Sequence, residues 1–398
     1  MTANNRLFFV DAMRAWAILM MLQGHFIDGL LDPVYRDTTN TAYNIWLYFR
    51  GITAPVFFTV SGFIFTYLLI KSPQKGMKNP RVAKGLRRGL QLLLIGYLLR
   101  LNLFGLMKGQ IYDSFYLVDV LHCIGLSILA LIGVYLLTSN RKKFVFPTVL
   151  VVITLVLFLF ERVYKDWTYP FLPEFIANYF TKANGSVFTI VPWLGYTTIG
   201  AFISVLFTRY KNFKYLYPAA ISIALAIGYL LIYQSTRAFD ALYDLTGWEF
   251  LKLIVSNNYL FIRLGNVFVV FAIFMVLRRF LTNKTILNIG ASTLSIYVIH
   301  FVILYGSLTG LGLYRPFNHS LTPEVVIPGA IVFMILSTYF ALQYNRYEVQ
   351  IKGKAAYLLN TVKIQSINFG KMLFPFLKET FLRVRVRLQR LVQVVRSN

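Results

Sequence analysis

About ten runs of roughly 20 apolar residues recur along this chain of 398 residues, and they restrict its fold more than any other feature. Each run could cross about 30 Å of hydrocarbon as a tilted helix, at roughly 1.5 Å per residue. The runs lie near residues 8–28, 49–70, 88–107, 115–138, 143–162, 187–207, 215–234, 259–278, 286–307 and 323–343. The pattern predicts an all-α integral membrane protein, a bundle of about ten transmembrane helices over residues 1–343.

Composition favours a membrane protein over a soluble one. Hydrophobic residues make up 57% of the chain and charged residues 14%, against about 25% charged residues in soluble domains. The net charge of +25 does not indicate nucleic acid, because the basic residues form short clusters between apolar runs, as in loops that face anionic lipid. A single cysteine, Cys123, excludes an internal disulfide. The first run contains Asp11, Arg14, Gln23 and His25, so we expect a membrane span there and not a cleaved signal peptide.

Basic and acidic loops alternate along the chain. Lys and Arg cluster after the second, fourth, sixth and eighth runs, whereas Asp and Glu lie in the intervening loops. Because positively charged loops stay in the cytoplasm, the alternation predicts that both termini are cytoplasmic. We expect a multi-pass protein of the inner (plasma) membrane, with loop 71–87 inside and loops 163–186 and 235–258 outside.

The C-terminal segment 344–398 differs from the spans. Ten or so Lys and Arg residues alternate there with Leu, Val, Ile and Phe, a composition typical of an amphipathic segment at a membrane surface. We therefore expect a basic cytoplasmic tail held by anionic lipids. A regulatory or partner-binding arm is the alternative, and no nucleic-acid-binding motif accompanies the charge.

Ionisable residues within apolar spans are costly and usually mark a functional cavity, and the first span has the most of them. Arg14 and His25 are eleven residues apart, within about 20° of a whole number of helical turns and roughly 16 Å along the axis. Asp11 lies about 40° to one side of this pair and Asp28 about 40° to the other, so all four share one face. A structural interpretation is an Asp11–Arg14 ion pair plus a core histidine. Four polar residues on one face favour a functional interpretation.

Other spans place polar residues in the predicted outer half of the bundle. Individually each could be an interfacial anchor or a helix-packing group. Together they predict a wet, charged cavity that opens outward, with His25 at its floor. These residues are Arg50, Arg100, Asp119, His122, Arg263 and His300.

The run Arg6–Met21 followed by His25 resembles the first helix of the transmembrane acyltransferase superfamily. This group includes the acyltransferase-3 proteins and the heparan-α-glucosaminide N-acetyltransferase-like proteins. The Arg-x10-His spacing of the superfamily falls on Arg14 and His25. Further matching segments are 54–63, 84–96, 119–126, 192–196 and the ninth span up to His300. The resemblance covers roughly residues 5–345 and is closer to the heparan-acetyltransferase-like branch.

The chain departs from these families at two places. The eukaryotic heparan enzymes have a reactive histidine in a large luminal loop, whereas the outer loops here contain only His319. The Arg-x-x-Arg element of the acyltransferase-3 proteins is replaced by Lys84-x-x-Arg87, followed by Arg88. The charge is kept, but the planar guanidinium fork is lost at the first position.

The resemblance implies that acyl-CoA, in the first instance acetyl-CoA, is supplied from the cytoplasm to an extracytoplasmic glycan or cell-envelope acceptor. The anionic phosphates of the donor suit cations where the chain meets the cytoplasm. The residues expected to bind the donor are Lys84, Arg87, Arg88 and Arg14.

The same resemblance implies roles for the residues of the cavity. His25 acts as the base or as a transient acyl carrier, and Asp28 orients its ring. The expected catalytic set is completed by Arg14 and His300. The expected substrate-binding residues are Arg50, Arg100, Asp119, His122 and Arg263; no metal is expected.

The sequence thus predicts a membrane acyltransferase, and the alternative is a multi-span transporter or flippase that uses the same charged cavity as its path. A sensory or scaffolding membrane protein is a third class, which the intact Arg14–His25 pair disfavours. The expected partners are acyl-CoA, the acceptor and anionic lipids, without nucleic acid. A homo-oligomer is compatible with the sequence.

Overall fold

The computed structural model describes residues 7–165 and 167–396, and every regular element in these ranges is helical. Two isolated bridges join Leu31 to Leu321 and Asn102 to Leu308. The chain forms two compact units, Met1–Leu342 and Gln343–Asn398. In the second unit residues 343–396 are helical, and the membrane-surface position of this basic segment stays a prediction.

The helices follow one another with short connections. They are α1 (Phe8–Leu30), α2 (Thr41–Ile70), α3 (Pro80–Arg100), α4 (Leu103–Met107), α5 (Val120–Thr138), α6 (Val145–Leu159), α7 (Glu161–Lys165), α8 (Glu174–Ala177), α9 (Ile190–Arg209), α10 (Leu216–Tyr229), α11 (Ser235–Thr246), α12 (Glu249–Ser256), α13 (Tyr259–Val276), α14 (Lys284–Ala291), α15 (Thr293–Tyr305), α16 (Tyr314–Phe317) and α17 (Pro323–Arg396).

An all-α membrane protein is confirmed, but ten spans are not established. Within the described ranges six helical stretches are long and apolar enough to cross a membrane: Thr41–Ile70, Asp113–Thr138, Ile190–Arg209, Leu216–Thr246, Tyr259–Arg279 and Pro323–Pro375. The bent pair α14–α15 can count as a seventh. The remaining predicted spans fall on α1 and α3, which carry charged residues, and on α6, which has only 15 residues. The cytoplasmic orientation of the termini also stays a prediction.

Two helices begin earlier than the apolar runs predicted, because an asparagine caps each of them. Asn40 accepts a hydrogen bond from the backbone N–H of Tyr43, and α2 begins at Thr41 instead of 49. Asn79 caps α3, which begins at Pro80 instead of 88. Capping side chains and an initial proline satisfy or remove free N–H groups at a helix start. The cations expected before the third span therefore lie on the first turns of α3: Lys84, Arg87 and Arg88.

Two further segments differ from the predicted spans. The expected outer loop 235–258 is largely helical, because α11 follows α10 through a π-helical segment, Leu230–Gln234, and α12 comes next. The ninth run is broken between α14 and α15 by a bend of 70° at Ser292.

Glycines set the closest helix crossings. A Cβ atom at Gly62 of α2 would overlap the backbone carbonyl of Thr197 on α9, and one at Gly200 would overlap that of Thr59. In the same way Gly290 of α14 lies directly against the backbone of Asp11 on α1. Small residues let helix backbones approach closely in membranes, where van der Waals contact drives association. The Gly290 contact places the start of α15 beside α1.

Candidate active site

A cavity of about 480 Å³ lies where α1, α3 and α15 end and where α2 and α5 begin. Five residues predicted from the sequence line it: His25, Asp28, Arg50, Arg100 and Asp119. They come from three helices, α1, α2 and α3, and from the residue that precedes α5. The structure therefore brings half of the ionisable residues singled out in the spans together at one end of the first unit.

His25 is paired with a second histidine in the wall of this cavity. The Nδ1 atom of His25 lies 3.1 Å from Nε2 of His300, and the ring centroids are 5.2 Å apart. His300 is fully buried and does not line the cavity. It packs among aromatic side chains that include Tyr297 and Phe333. In a neutral histidine pair one ring nitrogen donates and the other accepts, so each ring determines the position of the proton on the other.

The spacing of Arg14 and His25 is explained by a shared neighbour, α15. Arg14 donates from Nη2 to the Oγ1 atom of Thr293, the first residue of α15, at 2.9 Å, and its Nη1 lies 3.6 Å from a carboxylate oxygen of Asp11. His25, about 16 Å further along α1, contacts α15 again at His300. Arg14 is not among the residues that line the cavity. Both residues thus hold α15 along α1, at opposite ends of the contact.

Two ion pairs line the cavity. The carboxylate of Asp28 pairs with the guanidinium of Arg50, and Asp119 Oδ2 lies 3.2 Å from Nε of Arg100. Arg100 also donates to the backbone carbonyl of Ser114 at 3.1 Å. Asp28 was expected to orient His25. In the structure its carboxylate faces Arg50, and His25 is bonded to His300.

Asp119 and His122 act together at the start of α5. One carboxylate oxygen of Asp119 accepts from the backbone N–H of Leu121 and lies 3.1 Å from Nδ1 of His122. His122 is fully buried and packs directly on Gly96 of α3, where a Cβ atom would collide with its ring. It was expected to contact the substrate, but it does not line the cavity. Its contact with Asp119 holds that carboxylate in the position that caps α5.

Arg263 also lies outside the cavity. Its guanidinium packs against Gly51 of α2, next to Arg50, and over the ring of Tyr259 at 5.4 Å. It is therefore a neighbour of the cavity wall and does not line it.

The predicted donor-binding cations are separated from the cavity along α3. They are exposed and lie on one face of the helix at i, i+3 and i+4: Lys84, Arg87 and Arg88. Arg88 is twelve residues before Arg100, about 18 Å along the helix axis. A donor bound at these cations would have to extend over that distance to bring its reactive end into the cavity.

A backbone loop that the sequence did not indicate forms another wall. Gly306 ends α15 in the left-handed conformation, and the loop that follows includes Leu308 and Gly310. This loop is bonded to the end of α3: the N–H of Leu103 donates to the carbonyl of Leu308 at 2.8 Å, and the N–H of Leu308 donates to Leu101 at 3.0 Å. A glycine directly after an apolar run is a helix-ending signal, and it could have located this turn.

Tyr305 is another lining residue that the sequence did not indicate. Its ring centroid lies 6.2 Å from that of His25, and its ring packs at a tilt against Phe301 with the centroids 4.7 Å apart. Within the described part of the chain, no group of three or more His, Cys, Asp or Glu residues is arranged to hold a metal ion. The cavity therefore offers an imidazole, two guanidinium groups and two carboxylates, the side chains that acid–base chemistry and anion stabilisation use.

Comparison with known proteins supports one branch of the resemblance. The family model "Heparan-alpha-glucosaminide N-acetyltransferase, catalytic" matches residues 6–237, more than half of the chain. The matched range contains Arg14, His25, Arg50, Arg100 and Asp119 and ends before α15. The match does not extend to the acyltransferase-3 proteins. No curated protein matches the chain. The chain, a multi-pass membrane protein, belongs to the heparan-α-glucosaminide N-acetyltransferase catalytic-domain family of acetyltransferases.

Proposed function

We propose that this protein transfers an acetyl group from cytoplasmic acetyl-CoA to a hydroxyl or amino group of an extracytoplasmic glycan or cell-envelope molecule, with His25 as the catalytic base. The observation that carries the proposal is the contact between His25 and His300 in the wall of a charged cavity. Family membership supports acetyl transfer as the reaction.

The contact between the two histidines determines which ring nitrogen of His25 is free to accept a proton from the acceptor. His25 can accept a proton at Nε2 only if its own ring proton is on Nδ1. Nδ1 faces Nε2 of His300, which must then be the acceptor, so the ring proton of His300 is on its Nδ1. Since His300 is fully buried, water does not compete for this bond. His300 is a positioning residue in this mechanism.

The reaction then needs one proton transfer in each direction. Nε2 of His25 removes the proton from the acceptor O–H or N–H, and the acceptor atom attacks the thioester carbonyl. The tetrahedral intermediate collapses by breaking the C–S bond, and the proton on His25 passes to the departing CoA sulfur. Base catalysis of this kind contributes about 10²–10⁴-fold to the rate.

The two ion pairs provide charge stabilisation and acceptor contacts. Guanidinium N–H groups of Arg100 or Arg50 stabilise the oxyanion of the intermediate. The carboxylates of Asp28 and Asp119 accept hydrogen bonds from acceptor hydroxyl or amino groups. Because each arginine is matched by a carboxylate, the cavity suits a polar acceptor group without a large net charge.

The donor is assigned to the cationic face of α3. Lys84, Arg87 and Arg88 are exposed and can contact CoA phosphates as charge-assisted hydrogen-bond donors. Arg14, first expected to take part in both catalysis and donor binding, is reassigned to holding α15, because its guanidinium donates to Thr293.

The test is acceptor-dependent release of CoA by the purified protein in proteoliposomes. Acetyl-CoA is supplied on one side, glucosaminides and neutral glycosides are offered, and both free thiol and acetylated product are measured. We expect equal amounts of CoA and acetylated glycoside. Movement of the glycoside across the bilayer without acetylation would replace the proposal by the transporter alternative.

A further inference from the structure

A second cavity lies beside the first. This groove, about 710 Å³, is formed by α1, α2, the connection between them and the beginning of α17 within the first unit. Its long wall is apolar and includes Ile27 of α1 and Ile327, Ile331 and Met334 of α17. Ile327 and Ile331 are 56% and 51% exposed, so the groove opens to the side of the helices. In a membrane protein that side faces hydrocarbon.

The lining of the groove contains three charged or amide side chains, toward its two ends. Asp37 and Asn40 lie at one end, in the connection between α1 and α2, and Gln23 of α1 lies at the other. A free glycan would leave its hydroxyl groups without partners along the apolar wall, which is unfavourable. A hydrocarbon chain needs no hydrogen-bond partners and packs favourably against such a wall. The groove volume falls in the range of about 300–1,000 Å³ that is typical of ligand sites.

The groove and the proposed active site share the pair α1–α2. On α1, Ile27 lines the groove and its neighbour Asp28 lines the active-site cavity; on α2, Trp46 lines the groove and Arg50, one turn later, lines the cavity. Between the two spaces the helices are bridged by polar side chains. The indole N–H of Trp46 donates to the amide oxygen of Gln23 at 2.6 Å, and Arg50 pairs with Asp28.

We infer that the groove holds the hydrocarbon chain of a lipid-linked acceptor, whose glycan head reaches His25 between α1 and α2. The Gln23–Trp46 and Asp28–Arg50 pairs can give up their mutual hydrogen bonds and form hydrogen bonds with sugar hydroxyl groups. Apolar side chains packed between the helices could not replace their contacts in this way. Arg50 and Asp28 are then the first groups that the head meets, one helical turn from His25. This inference rests on the proposed acetyl transfer and specifies the class of acceptor.

The experiment compares two acceptors with the same head, dodecyl glucosaminide and methyl glucosaminide, with acetyl-CoA in proteoliposomes. Ile331→Trp fills the groove from an exposed position. Val332→Trp is the matched control, because Val332 is 54% exposed on the same helix and does not line the groove. We expect the wild type to prefer the dodecyl acceptor at least tenfold in kcat/KM. Ile331→Trp should remove this preference through KM and leave the methyl acceptor unchanged, and Val332→Trp should change neither.

Failure of the inference can be told from failure of the proposed function. Acetylation of both glucosaminides without chain preference, or equal loss of both in Ile331→Trp, would keep the transferase and identify the groove as an ordinary lipid contact. If wild-type protein acetylated neither acceptor under conditions where it binds acetyl-CoA, both proposals would be overturned.

Discussion

Replacing His300 by Phe tests whether the histidine pair positions the proton of His25. Phe keeps a ring of similar size among aromatic neighbours that include Tyr297, Phe301 and Phe333. It removes the nitrogen that lies 3.1 Å from Nδ1 of His25. An N–H left without a partner in a buried site costs about 1–3 kcal/mol. If that cost falls on the productive tautomer, kcat/KM should drop about 5- to 150-fold, at one tenfold step per about 1.4 kcal/mol.

The matched variant is His300→Gln, whose amide oxygen can still accept from His25. It should retain more activity than His300→Phe, although both remove the imidazole. The assay measures acetyl-CoA turnover with a glucosaminide acceptor, alongside thermal unfolding and acetyl-CoA binding. Normal turnover by folded His300→Phe protein would refute the positioning role. An equal loss in both variants would refute the role of the acceptor atom.

Three further predictions concern packing, the donor and topology. Gly200→Ala should lower the melting temperature, since overpacking costs about 1–3 kcal/mol and its Cβ would overlap the Thr59 carbonyl, whereas Gly133→Ala, with nothing within 4 Å, should not. The double variant Lys84→Glu/Arg87→Glu should weaken acetyl-CoA binding by about tenfold or more, whereas the control variant Lys75→Glu should not. Unchanged affinity of the double variant would mean that these cations determine only the orientation of the protein in the membrane. A cysteine at position 78 should react with an impermeant thiol reagent only in opened cells, against a low background because Cys123 is buried; labelling of intact cells would reverse the predicted orientation.

The polar residues of the spans predicted a shared cavity better than the apolar runs predicted the helix boundaries. A charged side chain in hydrocarbon is so costly that it must face a cavity or a partner, and this argument located His25, Asp28, Arg50, Arg100 and Asp119 in one cavity. Helix ends depend on single capping residues, and α2 and α3 begin earlier than predicted because of their asparagine caps.

Pairings within the site could not be predicted from one sequence. Helical spacing shows which residues share a face of α1 but not which helix packs against that face. Asp28 follows His25 by one turn, yet its carboxylate pairs with Arg50 across the helix interface. His300 came from a distant part of the chain, and its contact depends on the bend before α15 and on the close approach of Gly290 to α1. These are tertiary contacts with no local signal.

The rate of acetyl transfer by His25→Asn tests the catalytic role of His25 most directly. His319→Asn is the matched control, because His319 belongs to the loop that is bonded to the end of α1 and does not line the cavity. Both variants should insert, fold and bind acetyl-CoA like the wild type. His25→Asn should transfer acetyl groups at least about a hundredfold more slowly, and His319→Asn should transfer them at the wild-type rate. Folded His25→Asn protein that transfers acetyl groups at a near wild-type rate would contradict the catalytic role of His25.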